Sequence, residues 1–302
     1  MALVVVVPDS GGPDPRSADA EARRTDPAQR VISALSSSVR AMRGPVPRRE
    51  DVTVLAFADL FARSADEEPG QPDGLAVDAA VAEKERAEAE PLIGWTEELA
   101  DELLRAWWLS ATRIGQCEIP AERRRQEAEP ADPAGELGSS VYFRGSAELA
   151  AAEARALSRY LTDLKLRHEA RDRTQSAIQP DTRVVVGHGL GALIAYEALC
   201  VLGDAASVTF ISLGAAMCGP DQVFERLEPA PRNEQGYWPA SVRRWFNVVA
   251  HSDPTAMIAP QLTARFGPGI EDEVIEIRSS CGELSPYLSD RATGRALATG
   301  LS

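Results

Sequence analysis

The segment TRVVVGHGLGALIAYEALCVLG, residues 182–203, constrains the fold more than any other part of the chain. A β-branched run, Val184–Val186, ends in glycines at 187, 189 and 191, and an apolar, helix-forming stretch follows. Such a run, too apolar to face water on either side, reads as a strand of a sheet covered on both faces. The glycines then predict a sharp turn in which strand and helix approach closely.

The rest of the chain repeats this alternation. ALVVVVPD at the start reads as a buried strand, followed by a polar Gly/Pro-rich loop. AQRVISALSSSVRAM has helical spacing, with Val31, Leu35 and Val39 on one side. DVTVLAFADLF is the next strand, running into a breaker-rich loop. Residues 75–115 read as helical, with Trp95, Leu99, Leu103 and Trp107 forming a stripe suited to a core or to a cap over a site. Residues 117–140 read as a mixed-charge surface loop, and about 146–171 as one long amphipathic helix capped by Ser146. Within it, His168, with Lys165, Arg167 and Arg171, suits the negative end of the helix dipole. After 182 come SVTFISLGA, RRWFNVVAHSDPTA and DEVIEIRSS as strands, DQVFERL as a short helix, and DRATGRALATGLS as a final helix. The pattern predicts an α/β fold: a mostly parallel, doubly wound sheet flanked by helices, with residues 65–140 as an acidic helical insertion or cap, all in one domain over 1–302.

Composition excludes several functions. The chain carries a net charge of −14, and residues 65–104 hold 13 acids against Lys84 and Arg86. A phosphate backbone needs a basic surface, so nucleic acid is not an expected partner. The acidic segment reads as a solvated face, with docking of a basic partner as the alternative. No apolar run approaches the roughly 20 residues of a membrane span. The N-terminus lacks the basic flank of a signal peptide, and Cys117, Cys200, Cys218 and Cys281 form no C-x-x-C pair. A cytosolic protein with reduced thiols is expected, and high Ala, Arg and Pro usage fits a GC-rich bacterial source. No metal site or cofactor is expected: there are three histidines, no P-loop, and the dinucleotide fingerprint fails because position 192 is Ala.

In parallel sheets of this kind, sites form beyond the carboxyl ends of strands. There VVVGHGLGALIAYEAL, FISLGA, WFNVVAHSDPTA, SPYLSDRATGRALA and VTVLAFADLF together resemble the α/β-hydrolase family, particularly bacterial lipase/esterase-like members with a GHSLG nucleophile elbow. The resemblance covers most of 1–302 and is weakest over 65–140. It places the nucleophile at Gly189, which has no side chain, and one oxyanion donor at the Leu190 N–H. The second oxyanion loop falls on Pro8–Gly12, including Ser10 and Gly11, without the family's histidine. It places the acid at Asp253. The loop for the catalytic histidine, SSCGELSPYL, has none, with Cys281, Gly282 and Glu283 nearest.

Serine catalysis needs a nucleophile and a base in hydrogen-bond reach. With both roles vacant, the expectation is a non-catalytic protein that binds a small apolar ligand or a protein partner near Gly189, Leu190, His188, Ser10 and Gly11. One alternative is an esterase-like, lyase or cyclase enzyme with a non-standard site, His251 and Asp253 acting on water. Another is a regulatory subunit of an active homologue. Ser10, Ser212, Cys218 and Cys281 also lie near strand ends as substitute nucleophiles, though His188 reads as packing. Either a homo- or a hetero-oligomer fits.

Overall fold

The computed structural model describes residues 3–9, 27–62, 79–117, 130–204, 206–278 and 280–302. Six strands form one all-parallel sheet: β1 Val4–Val7, β2 Val52–Val54, β3 Val184–His188, β4 Val208–Leu213, β5 Val242–Ala250 and β6 Ile270–Ile275. Their spatial order is β2-β1-β3-β4-β5-β6. Alternation of side chains along each strand divides the core in two. Val5, Val7, Val185, Phe210 and Trp245 join one apolar cluster, whereas Val4, Val6, Val184, Val186 and Ile211 join the other. Helices cover both faces, which is why β1 and β3 are valine on consecutive positions.

On the second face lie α1 (Pro27–Ala41), α10 (Leu284–Ser289) and α11 (Arg291–Leu301), with Leu35, Leu288 and Leu297 buried between them and the sheet. The first face carries α3 (Ala79–Arg113), α4 (Pro133–Gly138), α5 (Ala147–Thr162), α6 (Leu164–Ala177) and α7 (Leu190–Leu202). Leu103, Trp107, Leu137, Leu157 and Leu193 from these helices are buried together. Short helices α2 (Ala58–Ala62), α8 (Asp221–Phe224) and α9 (Thr263–Phe266) complete the order.

Several details differ from the sequence reading. The helix expected over 146–171 is two helices, because Asp163 adopts extended backbone (φ −91°, ψ 96°) and its carboxylate accepts from Leu166 N at 3.0 Å. Ser146 does cap the first of them, accepting from Leu149 N at 3.2 Å. Of the tryptophan–leucine stripe, Leu99, Leu103 and Trp107 are buried but Trp95 is 64% exposed. The loop expected over 117–140 contains α4, begun by Asp132 accepting from Gly135 N at 2.9 Å; residues 118–129 lie outside the described residues. Much of the acidic segment at 65–104 also lies outside them. No described helix is long and apolar enough to cross a membrane.

Candidate functional site

The chain leaves β1 towards β2 on one side and later returns to β3 on the other. The order of strands therefore reverses between β1 and β3, and the crevice at their carboxyl ends is where sites form in such sheets. Asp9 follows β1 there, and Gly189 follows β3.

Gly189 holds φ 55° and ψ −126°, a region glycine enters without steric cost. It links the last residue of β3 directly to the first of α7. Gly191 is required by a close approach: a Cβ there would lie 2.7 Å from the Pro8 carbonyl carbon, so the exit of β1 rests against the first turn of α7. At Gly189 the space a side chain would fill is already taken. A Cβ built on it would lie 2.8 Å from Asp9 Cγ and nearer still to Oδ2. A carboxylate from the neighbouring strand thus stands where a residue-189 side chain would begin.

Asp9 is buried and hydrogen-bonds Glu153 of α5. Two carboxyl groups can bond each other only with a proton between them. Burial, and next the Asp9 charge, push the Glu153 carboxyl well above the usual range, so Glu153 holds the proton and donates it. Cys281 Sγ lies 3.4 Å from Glu153 Oε2, and its backbone N donates to Tyr142 O at 2.9 Å. Burial, first of all, raises the Cys281 thiol well above its ordinary value, which leaves it a poor nucleophile. Asp9, Trp107, Glu153, Gly189, Leu190 and Thr255 surround a cavity of only about 10 Å³. That is room for about one water molecule.

Asp253, three residues beyond the end of β5, is 1% exposed. Its Oδ1 accepts from Thr255 N (3.0 Å), Thr255 Oγ1 (2.7 Å) and Ala256 N (3.3 Å), and its Oδ2 from Tyr287 of α10 (3.0 Å). Burial outweighs these four donors and pushes its pKa up to about 6. Tyr287 Oη accepts in turn from Ala250 N at 3.1 Å. His251 is exposed; its backbone N–H donates to Ile275 O at 2.9 Å, and no hydrogen bond joins it to Asp253 among the described residues. His188 is buried, its ring 5.3 Å from that of Tyr287, and its Nδ1 has no hydrogen-bond partner among the described residues. Burial, partly offset by Asp9, lowers its pKa, so the imidazole is neutral at pH 7.

The structure therefore brings together Gly189 and Leu190 around one small cavity, joins Asp253 to Tyr287, whose ring meets that of His188, and leaves His251 outside. Ser10 and Gly11 lie outside the described residues. Ser212 is a core hydroxyl, bonded to Asn247 Oδ1 at 2.9 Å and to Trp245 Nε1 at 3.0 Å. Cys218 is buried beside Asn247, and burial raises its thiol pKa. The sequence reading missed Asp9 and Glu153. Asp9 carried a signal, an acid directly beyond a buried strand; Glu153, in the Ala-rich ELAAAEARAL, carried none.

Compared with known families, with curated proteins and with solved structures, the chain matches none.

Proposed function

We propose that the chain is an α/β-hydrolase-fold protein that has given up serine hydrolysis and works by binding. The observation that carries this reading is the Asp9 carboxylate standing where the side chain of residue 189 would begin. A glycine at this turn removes the nucleophile, and an acid in its place blocks an acyl group from the Leu190 N–H. The loop after β6 supports the same reading: it brings a protonated cysteine, not an imidazole, to the site. The cavity of about 10 Å³ favours a protein partner over a small apolar ligand at this position. A water-activating enzyme built on His251 and Asp253 finds less support, since Asp253 is engaged by Thr255 and Tyr287 and His251 is exposed.

A fluorophosphonate probe and short-chain p-nitrophenyl esters test the proposal. No serine should be labelled and ester turnover should stay at the buffer rate, in the wild type and in Gly189→Ser alike. Labelling of any serine in the wild type overturns the reading. Turnover that vanishes in His251→Ala would establish the water-activating enzyme instead.

A further inference from the structure

A much larger cavity, of about 680 Å³, lies away from the site at Gly189. It is formed by the last turn of α7 and by residues 228–237, ahead of β5. α7 has 13 residues, so this end is about 20 Å from Gly189. The volume is within the range that takes a drug-sized molecule.

Its walls are largely apolar and tied by hydrogen bonds. Val201 is 59% exposed and Tyr237 47%, and Pro229 continues the surface between them. Tyr237 is held by its carbonyl, which accepts from Tyr196 Oη at 2.9 Å. Gly236 N donates to Arg265 O at 2.7 Å, and a Cβ at 236 would meet the Phe266 ring, so this strand of chain lies flat on α9. Arg232 and Gln235 pair across a two-residue turn whose central residues, Asn233 (φ 51°) and Glu234 (φ 63°), are both left-handed. The floor is tied down by charge. Glu228 pairs with Arg171 and, at 3.3 Å, with Arg167, and its backbone N donates to Glu197 Oε1 at 3.0 Å.

This bonding leaves one lining charge unpaired. Beneath the floor Arg167 and Arg171 are balanced by Glu197 and Glu228, while Arg232, exposed at the rim, has no ion-pair partner among the described residues. An unpaired guanidinium at the edge of an apolar groove is complementary to a ligand with an anionic head and an apolar body. We propose that this groove binds an amphipathic organic carboxylate, its apolar body along Val201, Pro229 and Tyr237 and its carboxylate on Arg232. Arginine suits that role because its fork of N–H donors matches a carboxylate bidentately. The proposal does not depend on the fate of the site at Gly189.

Calorimetric titration with decanoate, and with decanol as its uncharged counterpart, tests it on the full chain. Saturable one-to-one binding of decanoate is expected, with decanol at least about tenfold weaker, the equivalent of about 1.4 kcal/mol. Arg232→Gln should weaken decanoate about tenfold and leave decanol unchanged. Val201→Glu, at an exposed position that leaves the fold intact by circular dichroism, should abolish both. No saturable heat up to about 1 mM decanoate, equal binding of decanol, or decanoate binding untouched by either substitution overturns the proposal.

Discussion

At the scale of single residues, one contact decides what the turn after β3 can do. Gly189 and Asp9 occupy one space from two strands. A side chain at 189 has to bear the φ of 55° and to displace a carboxylate held by Glu153. Gly189→Ala should therefore destabilise the protein by about 1–3 kcal/mol from the backbone alone, with a further loss for moving Asp9. Asp9→Ala removes the obstacle but not the backbone cost. In urea unfolding, the Asp9→Ala/Gly189→Ala double variant should lose less than the two single losses added, by about 1 kcal/mol. Strict additivity would mean that the two residues do not compete for space.

Among the elements, α6 and α7 are joined by buried charge rather than by apolar contact alone. Arg167 of α6 gives Nε to Glu197 Oε2 at 2.9 Å and a second N–H to Oε1; Tyr160 of α5 donates to the same carboxylate at 2.7 Å. Arg167 also reaches Arg226 O at 2.7 Å, so one guanidinium secures α7 and the loop below the groove. Breaking such a pair strands a charge, whereas removing both members leaves none. Arg167→Met should cost about 3–5 kcal/mol in chemical unfolding, and Arg167→Met/Glu197→Leu much less. A double variant as damaged as the single would assign the stability to packing of the arginine stem. The sequence made the strands plain, because continuous valine needs no distant information to be read as buried. Likewise the tight turn at Gly189 was plain from the glycines at 187, 189 and 191. Arg167 and Arg171 instead looked like solvated charges at a helix end, since their carboxylates come from residues 197 and 228. The break at Asp163 was hidden for a local reason: apolar spacing runs on through LTDLKL, and only the Asp163 cap on Leu166 N marks the start of a second helix.

For the whole molecule, these buried acids set the direction in which stability changes with pH. Asp253 ionises at about 6 in the folded chain, above its ordinary 3.8, so the native state binds a proton that the unfolded chain has released. Its contribution is complete below about pH 4 and is lost as pH rises through 6. Glu153, also raised, acts with the same sign, and the net charge of −14 at neutral pH adds general repulsion in that direction. His188, lowered by burial, opposes them, because it favours the folded state above its own pKa and withdraws that support as pH falls through it. The Asp253 share can be isolated with Asp253→Asn, which keeps one oxygen to accept from Thr255 and turns an N–H towards Tyr287 Oη, but cannot titrate. Between pH 4 and 7 the wild type should lose about 2–3 kcal/mol more than this variant in urea unfolding, the equivalent of a shift of about two pKa units. Parallel stability curves across that window would place the raised affinity for protons elsewhere and leave Asp253 ionised throughout, a buried anion supported by Thr255, Ala256 and Tyr287.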